Sequence, residues 1–153
     1  MEQEKIATKP NLKKRIAAGF IDYLLMFGIA LVMLIYFGRQ TETGYALEGF
    51  PALVTSLIWC FYFIGSELKF GGSLGNLMFD LKVVSIRDNS ITGLTFGQSF
   101  KRHFFDLLDM WFFGLIGILL IKNTKYNQRL GDVWAKTIVI DTKDNNQFCK
   151  RFI

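Results

Sequence analysis

The feature that most constrains the fold is a long apolar stretch near the N-terminus, residues 16–37. Its last fifteen residues, 23–37, are apolar without interruption, and Asp22 is the one charged residue in the stretch. A helix of this length can cross the hydrocarbon core of a bilayer, which is about 30 Å thick. A carboxylate there costs about 2.5 to 3.5 kcal/mol on insertion scales. The sequence therefore predicts a membrane protein whose polar side chains meet inside a small helical bundle.

Composition agrees with a membrane protein and argues against several other classes. Hydrophobic residues make up 51% of the 153 residues. The net charge of +5 comes from basic residues that flank apolar blocks, which is typical of anchors at a membrane edge and gives no reason to expect nucleic acid as a partner. The two cysteines form no CxxC pair, and neither GxSxG nor HExxH is present. We therefore expect no enzyme activity, no cofactor and no bound metal.

A second apolar run, residues 50–64, predicts a second span after a short polar turn at 39–44. Fifteen residues are few for a span, so we expect residues 46–48 to extend this helix at its N-terminal end. Pro51 fits the first helical turn, where a missing N–H does no harm.

The middle of the chain predicts a bend followed by strands. Glycines break helix over residues 71–75, and no Lys-Ser/Thr pair follows as it would in a phosphate-binding loop, so a plain turn is the better interpretation. Residues 81–86 and 91–96 are β-prone and predict a small hairpin. A further β-prone run, 137–140, could pair with 81–86 if both lie on one side of the membrane.

The third hydrophobic block, residues 96–121, has two interpretations. Its strictly apolar part, 110–121, spans only about 18 Å as a helix, too little to cross. Extending it back to Phe104 gives a spanning length but buries two aspartates. The alternative is a bent or re-entrant element that turns near Gly114 or Gly117. The fold class predicted is thus an all-α membrane bundle, with two clear spans, this third segment and a short cytoplasmic β-hairpin.

Basic residues predict the orientation. Five precede the first span, one lies in the first loop, five lie between Lys69 and Arg102, and seven occur from Lys122 onward. The positive-inside rule then places both termini and the middle loop in the cytoplasm, which requires an even number of crossings and favours the re-entrant interpretation over three plain spans. The predicted organisation is a cytoplasmic tail at 1–11, a membrane domain at 12–144 and a basic tail at 145–153.

Arg15 and Asp22 share a helix face but are about 10 Å apart along the axis, so they cannot easily pair. Asp22 needs a donor from another element, and Arg102 and Arg129 are the candidates. On the third segment Arg102 and Asp106 have the i,i+4 spacing that permits an ion pair.

The only histidine, His103, is expected to be a solvated edge residue. Two interpretations of the charged residues stay open: ion pairs that fix helix register, or a site that couples a proton to a cation, with Asp22 as its acid. The predicted intramembrane charge network comprises Arg15, Asp22, Arg102, Asp106, Asp109, Arg129 and Asp132.

These same residues occur in segments that resemble the RDD family of bacterial membrane proteins, named for one arginine and two aspartates. The segments are RIAAGFID at 15–22, GGSLGNLMFDLKVV at 71–84 and NQRLGDVWAKTIV at 127–139, with Arg102 and Asp109 between them. They follow the family's order over nearly the whole chain. Two departures are Asn76, where the family commonly has Lys, and Lys136, where it often has Gly.

The resemblance implies Arg15, Asp22 and Asp132 as signature residues. It also implies a multi-pass protein of the bacterial inner membrane and, from one member to which sodium–proton exchange is attributed, transport. We therefore expect a proton-coupled transporter of a monovalent cation or small solute that acts as an oligomer. The alternative is a non-transporting accessory or scaffold subunit of a larger membrane complex. The expected partners are the lipid bilayer and either further copies of the chain or another membrane protein.

Overall fold

Two long apolar helices dominate the fold. The structure is a computed structural model that describes residues 9–42, 44–87, 90–111 and 115–144, with side chains for all of these except 87, 90, 91, 107–111, 115 and 116. Helix α1 is Leu12–Phe37, which confirms the first predicted helix. The second long helix, Phe50–Phe70, consists of α2 (Phe50–Cys60), a π-helical turn (Phe61–Gly65) and α3 (Ser66–Phe70).

Both long helices are long and apolar enough to cross a membrane. Helix α1 buries only a thin stripe within the protein, formed by Ala18, Asp22 and Met26 at i, i+4 and i+8. Large side chains such as Phe27 and Ile35 point outward and are about two-thirds exposed. An apolar helix with so little protein cover needs lipid around it, because in water this surface would be costly.

The second helix extends in the direction opposite to the one predicted. It begins at Phe50 and continues past Ile64 to Phe70, whereas Ala46 belongs to a strand. Gly49, with φ +62°, precedes the helix in a conformation that is not helical. Gly71, with φ +80°, ends the helix. The extension brings the acidic Glu67 into the helix, which the sequence analysis did not anticipate.

Two small antiparallel sheets connect the helices. Strands β1 (Arg39–Thr41) and β2 (Gly44–Ala46) form a hairpin between the long helices, where a simple turn was expected. Strands β3 (Leu81–Arg87), β4 (Ser90–Thr92) and β5 (Thr137–Asp141) form a sheet of order β4-β3-β5.

The register pairs Leu81 with Asp141 and Ser85 with Thr137, which confirms the predicted pairing of the tail with the middle loop. The fold is mostly helical, as predicted, but it contains more strand than the single hairpin expected. The N-terminal end of α1 lies at this sheet, because Lys14 forms an ion pair with Asp141 of β5.

Short helices complete the fold. Helix α4 (Leu74–Met78) packs against α1 at the glycine-rich segment, so that segment is more than a plain turn. Helix α5 (Phe96–Trp111) and helix α6 (Leu115–Asn123) divide the third hydrophobic block. This division agrees with a bent segment, although Gly114, one predicted turning point, lies outside the described residues. Helix α7 (Leu130–Ala135) precedes β5.

Helix α5 is amphipathic in the sense opposite to that of a soluble protein. Its buried face is polar and its exposed face carries phenylalanines four residues apart. A helix with this arrangement is suited to an apolar surrounding, where polar side chains meet inside and rings face outward. Among the described side chains the buried polar residues are Gln98, Ser99, Arg102, His103 and Asp106, and the exposed rings are Phe96, Phe100 and Phe104.

Candidate functional site: a charge cluster around a cavity

Asp22 is held by neutral hydrogen-bond donors. Its side chain is 4% exposed and accepts hydrogen bonds from the Tyr62 hydroxyl at 2.6 Å, the Ser73 hydroxyl at 2.5 Å and the Gly75 backbone N–H at 2.8 Å. Tyr62 lies in the π-helical turn, and Ser73 is the N-cap of α4. The carboxylate therefore joins three helical elements.

The expectation that an arginine would bind Asp22 is wrong. Among the described residues, no basic side chain forms an ion pair with this carboxylate, and Arg102 and Arg129 bind other acids. Three hydrogen bonds stabilise the ionised form without a neighbouring cation, although Oδ2 accepts only one of them.

Gly75 is required for the contact between α4 and α1. A Cβ atom at this position would lie 2.1 Å from the Ala18 carbonyl oxygen and 2.9 Å from Cγ of Asp22. The nearest of these atoms belongs to the backbone of α1, which cannot move aside. A side chain at position 75 would therefore push α4 away from the Asp22 carboxylate, to which it donates hydrogen bonds.

We expect Gly75→Ala to lower the free energy of unfolding by at least about 2 kcal/mol, since overpacking against backbone cannot be relieved by a rotamer change. The matched control is Gly28→Ala on α1, where a Cβ atom meets nothing within 4 Å. Denaturant titration of the two purified variants in micelles measures the difference. Equal unfolding midpoints would contradict the close approach of the two helices.

Arg102 is the centre of a second, ionic group. Its side chain is 3% exposed and lies between Glu67 of α3 and Asp132 of α7. Nε and Nη2 lie 3.3 and 3.2 Å from Oε1 of Glu67, while Nη1 binds Asp132 and donates to the Thr137 hydroxyl at 3.1 Å. The guanidinium thus ties α5 to α3 on one side and to the neighbouring α7 and β5 on the other. Ser99 completes the group with a 2.7 Å hydrogen bond to Glu67.

Asp132 lies in the first turn of α7, where its carboxylate accepts the Arg129 backbone N–H at 3.0 Å. This contact caps the helix and orients the carboxylate toward Arg102. Arg15 approaches the same carboxylate less closely, at 3.9 Å, and donates to the backbone carbonyls of Asn127 and Val139 at 2.8 and 3.2 Å. Arg15 therefore attaches α1 to the tail mainly through neutral acceptors.

His103 is buried at 5% exposure, so its predicted place at a solvated edge is wrong. Its Nδ1 lies 2.6 Å from Oδ2 of Asp106, and its Nε2 lies 3.3 Å from Oε2 of Glu67 without hydrogen-bond geometry. The imidazole is therefore flanked by two carboxylates, both of which favour its protonated form.

Asp106 binds His103 and Arg129, whose Nη1 lies 3.6 Å away. Its carboxylate therefore lies between an imidazole and a guanidinium, which favour its ionised form when they are charged. The ion pair between Arg102 and Asp106 expected from their helical spacing is replaced by these partners, because Glu67 and Asp132 reach Arg102 from other elements.

Six of the seven residues predicted as a charge network lie in or beside one cluster, and the side chain of Asp109 lies outside the described residues. Asp22 occupies a separate hydrogen-bonded position in the same region. Sequence analysis missed Glu67 and the neutral donors Tyr62 and Ser73. Glu67 had a usable signal, because it lies only two residues beyond Gly65 at the end of an apolar run, and a single glycine does not by itself end a helix.

A cavity of about 520 Å³ lies beside these groups. Its walls come from α1, the π-helical turn, α3, α4, α5 and α6, together with β5 and the loop before α7. Most of the lining is apolar, and the ionisable side chains lie along it, an arrangement typical of small-molecule sites. No group of three acids, histidines or cysteines is placed to hold a metal among the side chains that the structure describes. The ionisable lining residues are Arg15, Asp22, Tyr23, Glu67, His103, Asp106 and Arg129.

Two lipid-length apolar helices and charges turned inward around a cavity define a membrane protein. The RDD family model matches residues 9–136, and the chain belongs to the RDD family. No curated protein and no solved structure matches it.

Proposed function

We propose that this protein is a transporter that exchanges a monovalent cation or small solute for protons across the bacterial inner membrane, without enzymatic activity. The observation that supports this proposal most is the cavity beside Asp22, because a carboxylate buried in a membrane-length helix is costly and is retained where it serves a solute or a proton. The cavity is large enough for a small solute, and its wall carries groups that can exchange protons.

Asp22 is the proposed proton-carrying acid. Its partners are hydroxyl groups and one N–H, and both hydroxyls can rotate to accept a hydrogen bond when the carboxyl is protonated. The acid can therefore change its protonation state without breaking an ion pair. Glu67 is less suited to this task, because Arg102 lies against it and stabilises its charged form.

Orientation and assembly are part of the proposal. An ion pair of 3.1 Å between Lys9 and Asp144 supports a single side for the two ends of the described chain, which we propose is the cytoplasm. The exposed apolar surface of α1 supports contact with lipid and with further copies of the chain. Two long helices are few for a transporter that must open alternately to the two sides of the membrane. We therefore propose that several copies of the chain together form the path of the solute.

The test is flux in proteoliposomes that contain only the purified protein. A pH gradient, acidic inside, is expected to drive uptake of sodium, lithium or potassium, or of a small solute, above that of protein-free vesicles. A protonophore is expected to abolish the uptake. Uptake that is unchanged when the gradient is collapsed would refute proton coupling, and uptake equal to that of empty vesicles for every substrate would refute transport.

The alternative is an accessory subunit that scaffolds a larger membrane complex. It is favoured by the Arg102 group, whose acids and hydroxyl are all satisfied in the way expected of ion pairs that fix helix register. This function predicts one stable partner after gentle detergent extraction, and its loss when residues beyond 141 are removed. Cross-linking that recovers no partner, together with coupled flux by the pure protein, would exclude it.

A further inference from the structure

The cavity wall carries two buried charges of opposite sign on one helix, Asp22 and Arg15. Each is held by hydrogen bonds, but among the described side chains Asp22 has no ionic partner and the nearest one to Arg15 is 3.9 Å away. A buried charge that is solvated only by neutral groups attracts a counter-charge strongly in a medium of low dielectric constant. These two residues therefore define what a bound solute should carry.

Asp22 has no cationic partner among the described residues. Its three donors are two hydroxyls and a backbone N–H, and no basic side chain pairs with it in the described part of the chain. The undescribed side chains at 107–116, which follow the cavity-lining part of α5, include no basic residue. Oδ2 accepts only one of the three hydrogen bonds, from Ser73, which leaves a lone pair for a further donor.

Arg15 has no close anionic partner among the described side chains. The nearest carboxylate, on Asp132, is 3.9 Å away and is contacted more closely by Arg102. Two N–H groups of Arg15 bind backbone carbonyls, and its Nε has no hydrogen-bond acceptor among the described atoms. The side chain is 8% exposed, so water does not provide the full compensation.

The separation of the two charges limits the solute further. Seven residues of helix correspond to a rise of about 10 Å, and side chains on a helix lean toward its N-terminus, which directs the long arginine side chain away from Asp22. A solute with adjacent charges, such as an ordinary α-amino acid, cannot reach both residues at once.

We propose that the cavity binds a small zwitterion whose ammonium and carboxylate groups are separated by several methylene groups, with the ammonium at Asp22 and the carboxylate at Arg15. The intervening methylenes lie against the apolar wall, which includes Ile16, Phe20 and Ile121. The inference rests on the proposed function, because it names the class of solute that the transporter would carry.

The test compares three molecules of similar length on the full-length protein in detergent: ε-aminocaproate, caproate and hexylamine. Equilibrium dialysis with radiolabelled ligand is expected to show ε-aminocaproate binding at least about tenfold more tightly than either singly charged molecule. Glycine, which has the same two charges without the spacing, is expected to bind no better than caproate. Equal affinities for the three chains, or tighter binding of caproate or hexylamine, would overturn the proposal.

Variants assign the two ends of the ligand. Asp22→Asn is expected to remove the advantage of ε-aminocaproate over caproate, whereas Arg15→Lys, which keeps the charge, retains the preference for the zwitterion. An unchanged preference in Asp22→Asn would also overturn the proposal. Binding needs no flux, so the two proposals fail separately. Zwitterion binding without coupled flux refutes transport alone, and cation flux without zwitterion binding refutes the solute class alone.

Discussion

Asp22→Asn is expected to reduce proton-coupled flux in proteoliposomes to the level of protein-free vesicles while the protein stays folded. Asparagine has the same shape as aspartate and keeps one oxygen that can accept the hydrogen bonds from Tyr62 and Gly75. Its amide nitrogen faces Ser73, whose hydroxyl can accept in place of donating. The substitution therefore removes the proton-binding group and leaves the contacts of α1 with its neighbours.

The matched control is Asp80→Asn. Asp80 has φ +59°, a backbone conformation that asparagine tolerates well, and its half-buried carboxylate pairs with Lys143 at 2.8 Å. We expect its flux to equal that of the wild type. Equal flux in Asp22→Asn and the wild type would exclude Asp22 as the coupling acid, and loss of flux in both variants would point to a general charge effect.

Arg102→Met is expected to lower the free energy of unfolding by about 3 to 5 kcal/mol. The substitution leaves Glu67 and Asp132 buried at 2% and 1% exposure without the guanidinium that lies between them. The Thr137 hydroxyl loses its donor as well. Since this side chain links α3 and α5 to α7 and the start of β5, we expect those contacts to be lost before the long helices unfold.

The control for this variant is Lys101→Met. Lys101 is the exposed neighbour on the same helix, and its ammonium lies 5.1 Å from the ring centroid of Trp134, a contact worth about 0.5 to 1 kcal/mol at an exposed site. Denaturant titration in micelles, followed by near-ultraviolet circular dichroism, separates the two expectations. A loss below about 1 kcal/mol in Arg102→Met would show that the ionic group is dispensable for stability.

The parts of the fold that depend on local patterns could be predicted from sequence. The first long helix follows from an uninterrupted apolar run, and the pairing of β5 with β3 follows from two β-prone segments. The end of the second helix was misplaced because the apolar run stops at Ile64 and Gly65 follows it, although a single glycine does not end a helix and the chain stays helical to Phe70.

The partners within the site could not be predicted in the same way. Helical spacing placed Arg102 beside Asp106, but Glu67 and Asp132 arrive from elements about thirty or more residues away along the chain and bind the guanidinium more closely. For Asp22 the predicted hydrogen-bond donors were arginines, whereas Tyr62 and Ser73 donate to the carboxylate. Neutral polar residues occur throughout a sequence, so their contacts follow only from the packing of α4 on α1.

The most direct test of the account asks whether the cavity beside Asp22 is the route of the solute. Gly19 lines the cavity and Gly28 lies on the same helix away from it, and a Cβ atom at either position meets nothing within 4 Å. In a background with Cys60→Ser and Cys149→Ser, each glycine is replaced by cysteine and treated with a small water-soluble methanethiosulfonate in proteoliposomes.

If the solute passes through the cavity, the cysteine of Gly19→Cys reacts with the methanethiosulfonate and flux is lost. The cysteine of Gly28→Cys faces lipid, stays unmodified and leaves flux normal. Gly19→Cys that is modified without loss of flux, or that reacts no faster than Gly28→Cys, would contradict a solute path along this cavity.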